Sequence, residues 1–262
     1  MATTINESNF LTANLTPDTK GSLIKLSYWP VFKNGIGFDK PAHFNFWPLP
    51  ILKENTFNKI IDIINSGLDE VVKKDLQINT NLNVFPGLEY NSRWRKFLKY
   101  NNEIVGGGAL KEGINLYLKS NTSLSSQKSE ILNVLFHELT HDLLNHGKTE
   151  IPDDISERQS KEYHHHIEYL ANAGSAFFAG KEFSIHFAKF FIEEYNDDRD
   201  SKTHPSNSKI IYSLENEIYK EDLLKNLEAA KSSSYNPWLD YVKNREMYKY
   251  MHDMIDAGVK SR

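Results

Sequence analysis

The stretch Ser129–Gly147, SEILNVLFHELTHDLLNHG, decides how the rest of the chain is read. Ile131, Leu132, Leu135, Phe136, Leu139 and Leu143 recur at helical spacing and cover one side, while Val134 and Leu144 flank the other. The pattern predicts a buried helix, with Ser125 and Ser126 as N-cap candidates and Gly147 as the residue that closes it. His137-Glu138-Leu139-Thr140-His141 lies inside this run. On a helix, residues four apart stand one turn above the other, about 40° apart in azimuth, so the two imidazoles aim at one point. Two neutral imidazoles so placed can hold one zinc ion, and Glu138 stands where it can take a proton from water on the metal. The competing reading is a core helix whose histidines only hydrogen-bond to neighbours. It leaves the buried acid between them unexplained, because an unpaired charge is costly to bury.

A catalytic zinc takes three protein ligands and leaves a position for water, so a third ligand has to come from elsewhere. His146 does not fit. The pattern H-E-x-x-H-x-x-G-x-x-H needs a glycine at position 144 and a histidine at 147, where this chain has Leu144 and Gly147. Continued along the helical wheel, His146 also points roughly away from His137 and His141. Glu168, in HHHIEYLANAGSAFFAG, is the better candidate, with room before it for a loop and a returning helix. Asp154 with Glu157 reads as a capping pair opening that helix, and Gly180 as its close. Asn172 falls one turn after Glu168, on the same face, where it can orient a metal ligand. His164 shares that face and reads either as a further ligand or supporting group, or as a packing or solvated histidine.

H-E-x-x-H followed by a helix carrying Glu168 and Asn172 resembles the gluzincin zinc metallopeptidases. Glu168-Tyr169-Leu170-Ala171-Asn172 is similar to the E-x-x-A-N segment of the ImmA/IrrE type. Thr203-His204-Pro205 with Ile211-Tyr212-Ser213 resembles the T-H-P…I-Y-S block of Lit-type phage-exclusion peptidases, and His146 also occurs in the Lit-type pattern. The T-H-P motif resembles HtpX-like gluzincins as well. The resemblance spans residues 114–214. It implies an α+β, zincin-like core with a small, mostly antiparallel sheet on the H-E-x-x-H helix and further helices at both ends. It implies zinc on His137, His141 and Glu168, with Glu138 and His204 catalytic, although His204 reads equally as a helix-start histidine making a structural hydrogen bond. By the resemblance, the strand 113–119 would be the sheet edge on which an extended peptide lies, while the residues themselves show only a strand and fit an ordinary sheet member equally. The substrate would be an intracellular protein: a repressor by the ImmA/IrrE likeness, a host protein in phage defence by the Lit likeness. Two positions depart from the pattern. Asn172 stands where Asp is commoner, and the arginine expected after the His-Pro pair falls on Ile210, with Lys209 beside it. These departures motivate the alternative, a zinc-organised regulatory or interaction module without turnover.

Composition narrows the classes. The chain has 262 residues, 39% hydrophobic and 12% aromatic, enough for a sizeable core. We read it as one domain, 1–262, with an N-terminal α+β region 1–110, a core 111–215 and closing helices 216–262. A net charge of −4 argues against nucleic acid as the main partner, although Arg93–Tyr100 interleaves bases and aromatics. The absence of cysteine excludes disulfides and thiolate chemistry. No apolar run is long enough to cross a membrane, and the first residues lack a basic and apolar leader, so a cytoplasmic protein is expected. Residues 1–20 read as loosely ordered, Glu54–Asp75 as an amphipathic helix, Leu82–Tyr90 as a strand and Gly106–Gly108 as a flexible turn. The aromatic and proline-rich segment 42–52 reads either as subdomain core or as a substrate groove. Asn196–Lys202 reads as a mobile loop delivering His204, with Pro205 in the first turn of the following helix. Residues 210–230 and 237–257 read as two closing helices, faced by packing aromatics or by a dimer surface. The sequence leaves the oligomeric state open.

Overall fold

In the computed structural model of the chain, the residues described are 3–5, 11–15, 23–28, 54–74, 76, 78–85, 106–111, 113–118, 124–196 and 198–262. The segments 42–52 and 93–100 and the Pro86-Gly87 turn lie outside them. The fold is α+β, with eight α-helices and one six-stranded sheet among the described residues. The chain divides into two compact units, 1–135 and 136–262, so the boundary falls inside the segment 111–215 expected as one core. Among the described residues, no helix is long and apolar enough to cross a membrane.

The first unit carries the sheet. Its strands are β1 (Thr3–Ile5), β2 (Leu11–Leu15), β3 (Leu23–Tyr28), β4 (Asn79–Phe85), β5 (Gly106–Leu110) and β6 (Gly113–Tyr117), in the order β1-β2-β3-β4-β6-β5. The sheet is mixed: β3–β4 and β4–β6 pair parallel, and the other three pairs are antiparallel. Helix α1 (Glu54–Val72) lies between β3 and β4, and a parallel pair needs such a crossover. Residues 3–5 and 11–15, expected to be loose, pair as strands. Gly106–Gly108, expected to be a turn, is strand, because pairing with β6 overrides glycine's weak strand preference. The strand β6 itself is flanked on both sides, so it is an interior member of the sheet and not an edge open to a peptide. Its Ile114 and Leu116, opposite Leu82 and Val84 of β4, are buried.

The second unit is helical. It holds the end of α2 (Leu124–Leu143), then α3 (Glu157–Ala179), α4 (Lys181–Tyr195), α5 (Asn207–Glu215), α6 (Lys220–Ala229), α7 (Pro237–Lys243) and α8 (Arg245–Lys260). Each expected closing helix is in fact two. Glu217, at φ 51°, breaks 210–230, and Asn244 separates α7 from α8. Central to the unit is α3, which buries Tyr163 against Trp238 and Tyr241, with ring centroids 5.1 and 5.2 Å away. Its cap is Ser156, whose side chain accepts from Gln159 N at 3.2 Å, and not the expected Asp154–Glu157 pair. Gly180 ends it as expected, at φ 97°, a conformation that glycine adopts freely.

The packing of α2 on α3 turns on Gly174. A Cβ there would lie 1.9 Å from Thr140 Oγ1 and 2.7 Å from Thr140 Cβ, so the two helices can approach this closely only at a glycine. Thr140 cannot easily retreat, since its hydroxyl donates to Phe136 O at 2.8 Å. Gly174→Ala is expected to cost about 1–3 kcal/mol of stability through forced separation of the helices. Thermal unfolding of the variant checks this. A wild-type melting temperature would show that the contact relaxes freely.

Candidate metal centre

Helix α2 delivers both histidines to one side. Its first described turn already includes Ser125 and Ser126, so these are helix residues and not caps. Its end is also earlier than expected. The helix stops after Leu143, Asn145 takes the left-handed conformation at φ 57°, and His146–Lys148 form a single 3₁₀ turn. Asn145 thereby does the work expected of Gly147, as the non-glycine residue that best tolerates that backbone. Lys148 reaches back to Asp142 at 2.9 Å, and Thr149 Oγ1 donates to Asn145 O at 2.9 Å, which fix the turn.

Three ligand atoms then meet. His137 Nε2 lies 3.2 Å from His141 Nε2, Glu168 Oε2 is 3.2 Å from His137 Nε2, and Glu168 Oε1 is 3.4 Å from His141 Nε2. His137, His141 and Glu168 form a group able to hold a metal ion. The triangle has the right size. Nitrogen and oxygen ligands about 2.0–2.1 Å from a tetrahedral ion stand about 3.3–3.4 Å apart. The charges point the same way. Burial opposes charge on His137, but hydrogen bonding to Glu168, its charge and that of Glu138 outweigh burial, so the ring's pKa is raised. Burial likewise opposes ionisation of Glu168, yet His141 and His137 hold its carboxyl well below the usual range. Such a site favours a positive charge at its centre, which a proton supplies weakly and a divalent ion strongly.

The surroundings hold these groups. Asn172 donates from Nδ2 to Glu168 O at 2.8 Å, and its side chain also hydrogen-bonds His137. Glu138 is buried directly beside His137. His204 Nε2 comes within 3.5 Å of Glu168 Oε1, with its side chain 63% exposed. Its other ring nitrogen lies 2.8 Å from Thr203 Oγ1. The loop that delivers it is tied down by several hydrogen bonds rather than free. Ser201 O accepts from His165 Nε2 at 3.0 Å, Ser201 Oγ accepts from His204 N at 2.7 Å, and Asp200 accepts from Ser206 N at 2.9 Å. Pro205 precedes the helix cap Ser206 and is not in the first turn.

At the rim, His164 takes its packing reading, Lys209 is engaged by acids, and His146 departs from expectation. His164 Nδ1 bonds to Ser160 O at 2.7 Å within its own helix, so it belongs to packing and not to the ligand set. Lys209, beside Ile210, is committed to Asp200 and Asp256 at 2.7 and 2.8 Å. His146, expected to face away, is buried, with its Nδ1 2.8 Å from His141 Nδ1. The wheel fails there because the helix ends three residues earlier. The left-handed Asn145 between Leu143 and His146 was the available signal. Burial first, then the neighbouring histidines, push the His146 pKa well down, so this ring is neutral.

Compared with known proteins, the chain matches no family, no curated protein and no solved structure.

Proposed function

We propose that the chain is a zinc-dependent endopeptidase of the gluzincin class, built on a zincin-like core and acting on a protein or peptide. The observation that carries this reading is the triangle of His137, His141 and Glu168, sized for a tetrahedral ion and adjoined by an acid. A bound zinc supplies Lewis acidity, which activates water near neutral pH and polarises a carbonyl oxygen. The rest falls to the chain. Glu138 accepts the proton of the attacking water and passes it to the leaving amine, as a carboxylate held beside the site can. Asn172 steadies His137 and the Glu168 backbone. His204, exposed and 3.5 Å from the Glu168 carboxylate, is the group that would donate to the developing oxyanion of a bound substrate. Cleavage of one intracellular regulator or host protein, in the cytoplasm, is the role that the sequence resemblance suggests.

The test is zinc per chain by mass spectrometry after reconstitution, together with hydrolysis of unfolded protein and peptide mixtures. One zinc and chelator-sensitive cleavage are expected. One zinc with no cleavage of any mixture would favour the regulatory module, and no zinc would end the metal reading.

The pH dependence has a definite sign. Zinc competes with the proton on His137, whose pKa Glu168 raises, so zinc affinity should begin to fall above the ordinary imidazole pKa of about 6.5 as pH is lowered. The metal-free chain should slope the other way from this group. Its His137–Glu168 contact contributes fully below the ordinary imidazole pKa and fades as pH rises through the raised one. Chelator competition and thermal melts across that range check both. A zinc affinity flat through the imidazole range would contradict the assignment of His137.

A further inference from the structure

The short contact between His141 and His146 has a consequence for the metal site. Two ring nitrogens 2.8 Å apart can hydrogen-bond only through a single shared proton, with one ring donating and the other accepting. Two arrangements satisfy this. In one, His141 carries its proton on Nδ1 and donates it to His146, which leaves the His141 Nε2 lone pair facing His137 and Glu168. In the other, His146 donates to His141, and the His141 proton sits on Nε2, 3.4 Å from Glu168 Oε1, where it blocks that nitrogen as a ligand.

We propose that His146 is a positioning residue that holds His141 in the first arrangement, with Nε2 free to bind metal. The proposal rests on the zinc reading above and assigns the partner that fixes the orientation of one ligand. Metal-bound histidines generally give their second N–H to an acceptor that sets ring angle and tautomer. His141 has a ring in that place where a carboxylate or carbonyl is usual. The placement is built, not incidental. The left-handed Asn145 turns the chain back, the Lys148–Asp142 contact at 2.9 Å clamps the turn, and both rings are buried. In the first arrangement the His146 proton sits on Nε2, which is buried without a hydrogen-bond partner among the described residues, so the contact with His141 is the hydrogen bond that this ring makes there. His146 meets neither substrate nor ion, and acts through His141 alone.

The test compares the full-length wild type with His146→Leu, which removes the acceptor, and His146→Asn, whose amide oxygen can sit where Nδ1 was. Zinc affinity is read by competition with a chromophoric chelator, and the proton on His141 by NMR of ring-labelled histidine. His146→Leu should weaken zinc about 10–100-fold and scramble the His141 tautomer, while His146→Asn keeps most of the affinity. Wild-type affinity in the leucine variant would overturn the proposal, as would an asparagine variant as weak as the leucine one. If His146→Leu does not fold, the wild-type spectrum decides, since a His141 proton on Nε2 in the zinc-loaded chain overturns it. If the wild type takes up no zinc, the metal reading falls separately. The tautomer in the metal-free chain then decides: Nδ1–H supports the role of His146, and Nε2–H overturns it.

Discussion

Replacing Glu138 with glutamine is expected to leave one zinc per chain and to lower hydrolysis by about 10²–10⁴-fold, on the order of 3–5 kcal/mol in the barrier. Glutamine keeps the size and hydrogen-bonding capacity of glutamate but cannot take a proton at neutral pH. Glu138 is buried beside His137 and is not one of the three proposed ligands, so its loss should not open the proposed metal site. The two readouts separate the possible roles. Zinc kept and turnover lost marks a general base. Zinc lost with turnover would make Glu138 a support for the histidines instead, since its charge helps raise the His137 pKa. Turnover at the wild-type rate would remove Glu138 from the mechanism.

Glu168→Ala is expected to have the larger effect on metal, a loss of affinity beyond the roughly 100-fold typical of supporting residues. It removes one of the three proposed ligands and, among the described residues, the only carboxylate in contact with both histidines, at 3.2 and 3.4 Å. The same change should alter the metal-free site. Glu168 supplies the hydrogen bond and most of the nearby charge that outweigh burial at His137, so without it the His137 pKa should drop. Zinc content and histidine NMR titration read the two effects on one sample. If zinc is unchanged, the third ligand lies elsewhere. A His137 titration that does not move would mean that the carboxylate is not its partner in solution.

The convergence of side chains at the candidate site was legible where it depends on local geometry. His137 and His141 are one helical turn apart whatever surrounds them, so five residues foretold their convergence. Glu168 and Asn172 were legible for the same reason, as one face of a second helix. His204 was legible only through the T-H-P resemblance, because no local rule brings a loop histidine to a helix 36 residues earlier. His146 was misread because a helical wheel was extended past the point where Asn145 leaves the helix. The loop before His204 looked mobile because its composition is polar. The same Asp and Ser side chains instead cap backbone donors and hold it.

By itself, the sequence determined the helical period of α1, α2 and α3, the pair of histidines with their acid, and the absence of cysteine. These follow from spacing and residue type, which act over a turn or two of chain. Only the tertiary structure decided that β6 is interior to a mixed sheet, since strand neighbours are set by pairing between distant segments. Only it decided that Gly174 lets Thr140 approach, which brings α3 against α2 in the second unit. Only it set the His146 ring against His141. Those outcomes depend on which surfaces meet, and no single segment carries that information.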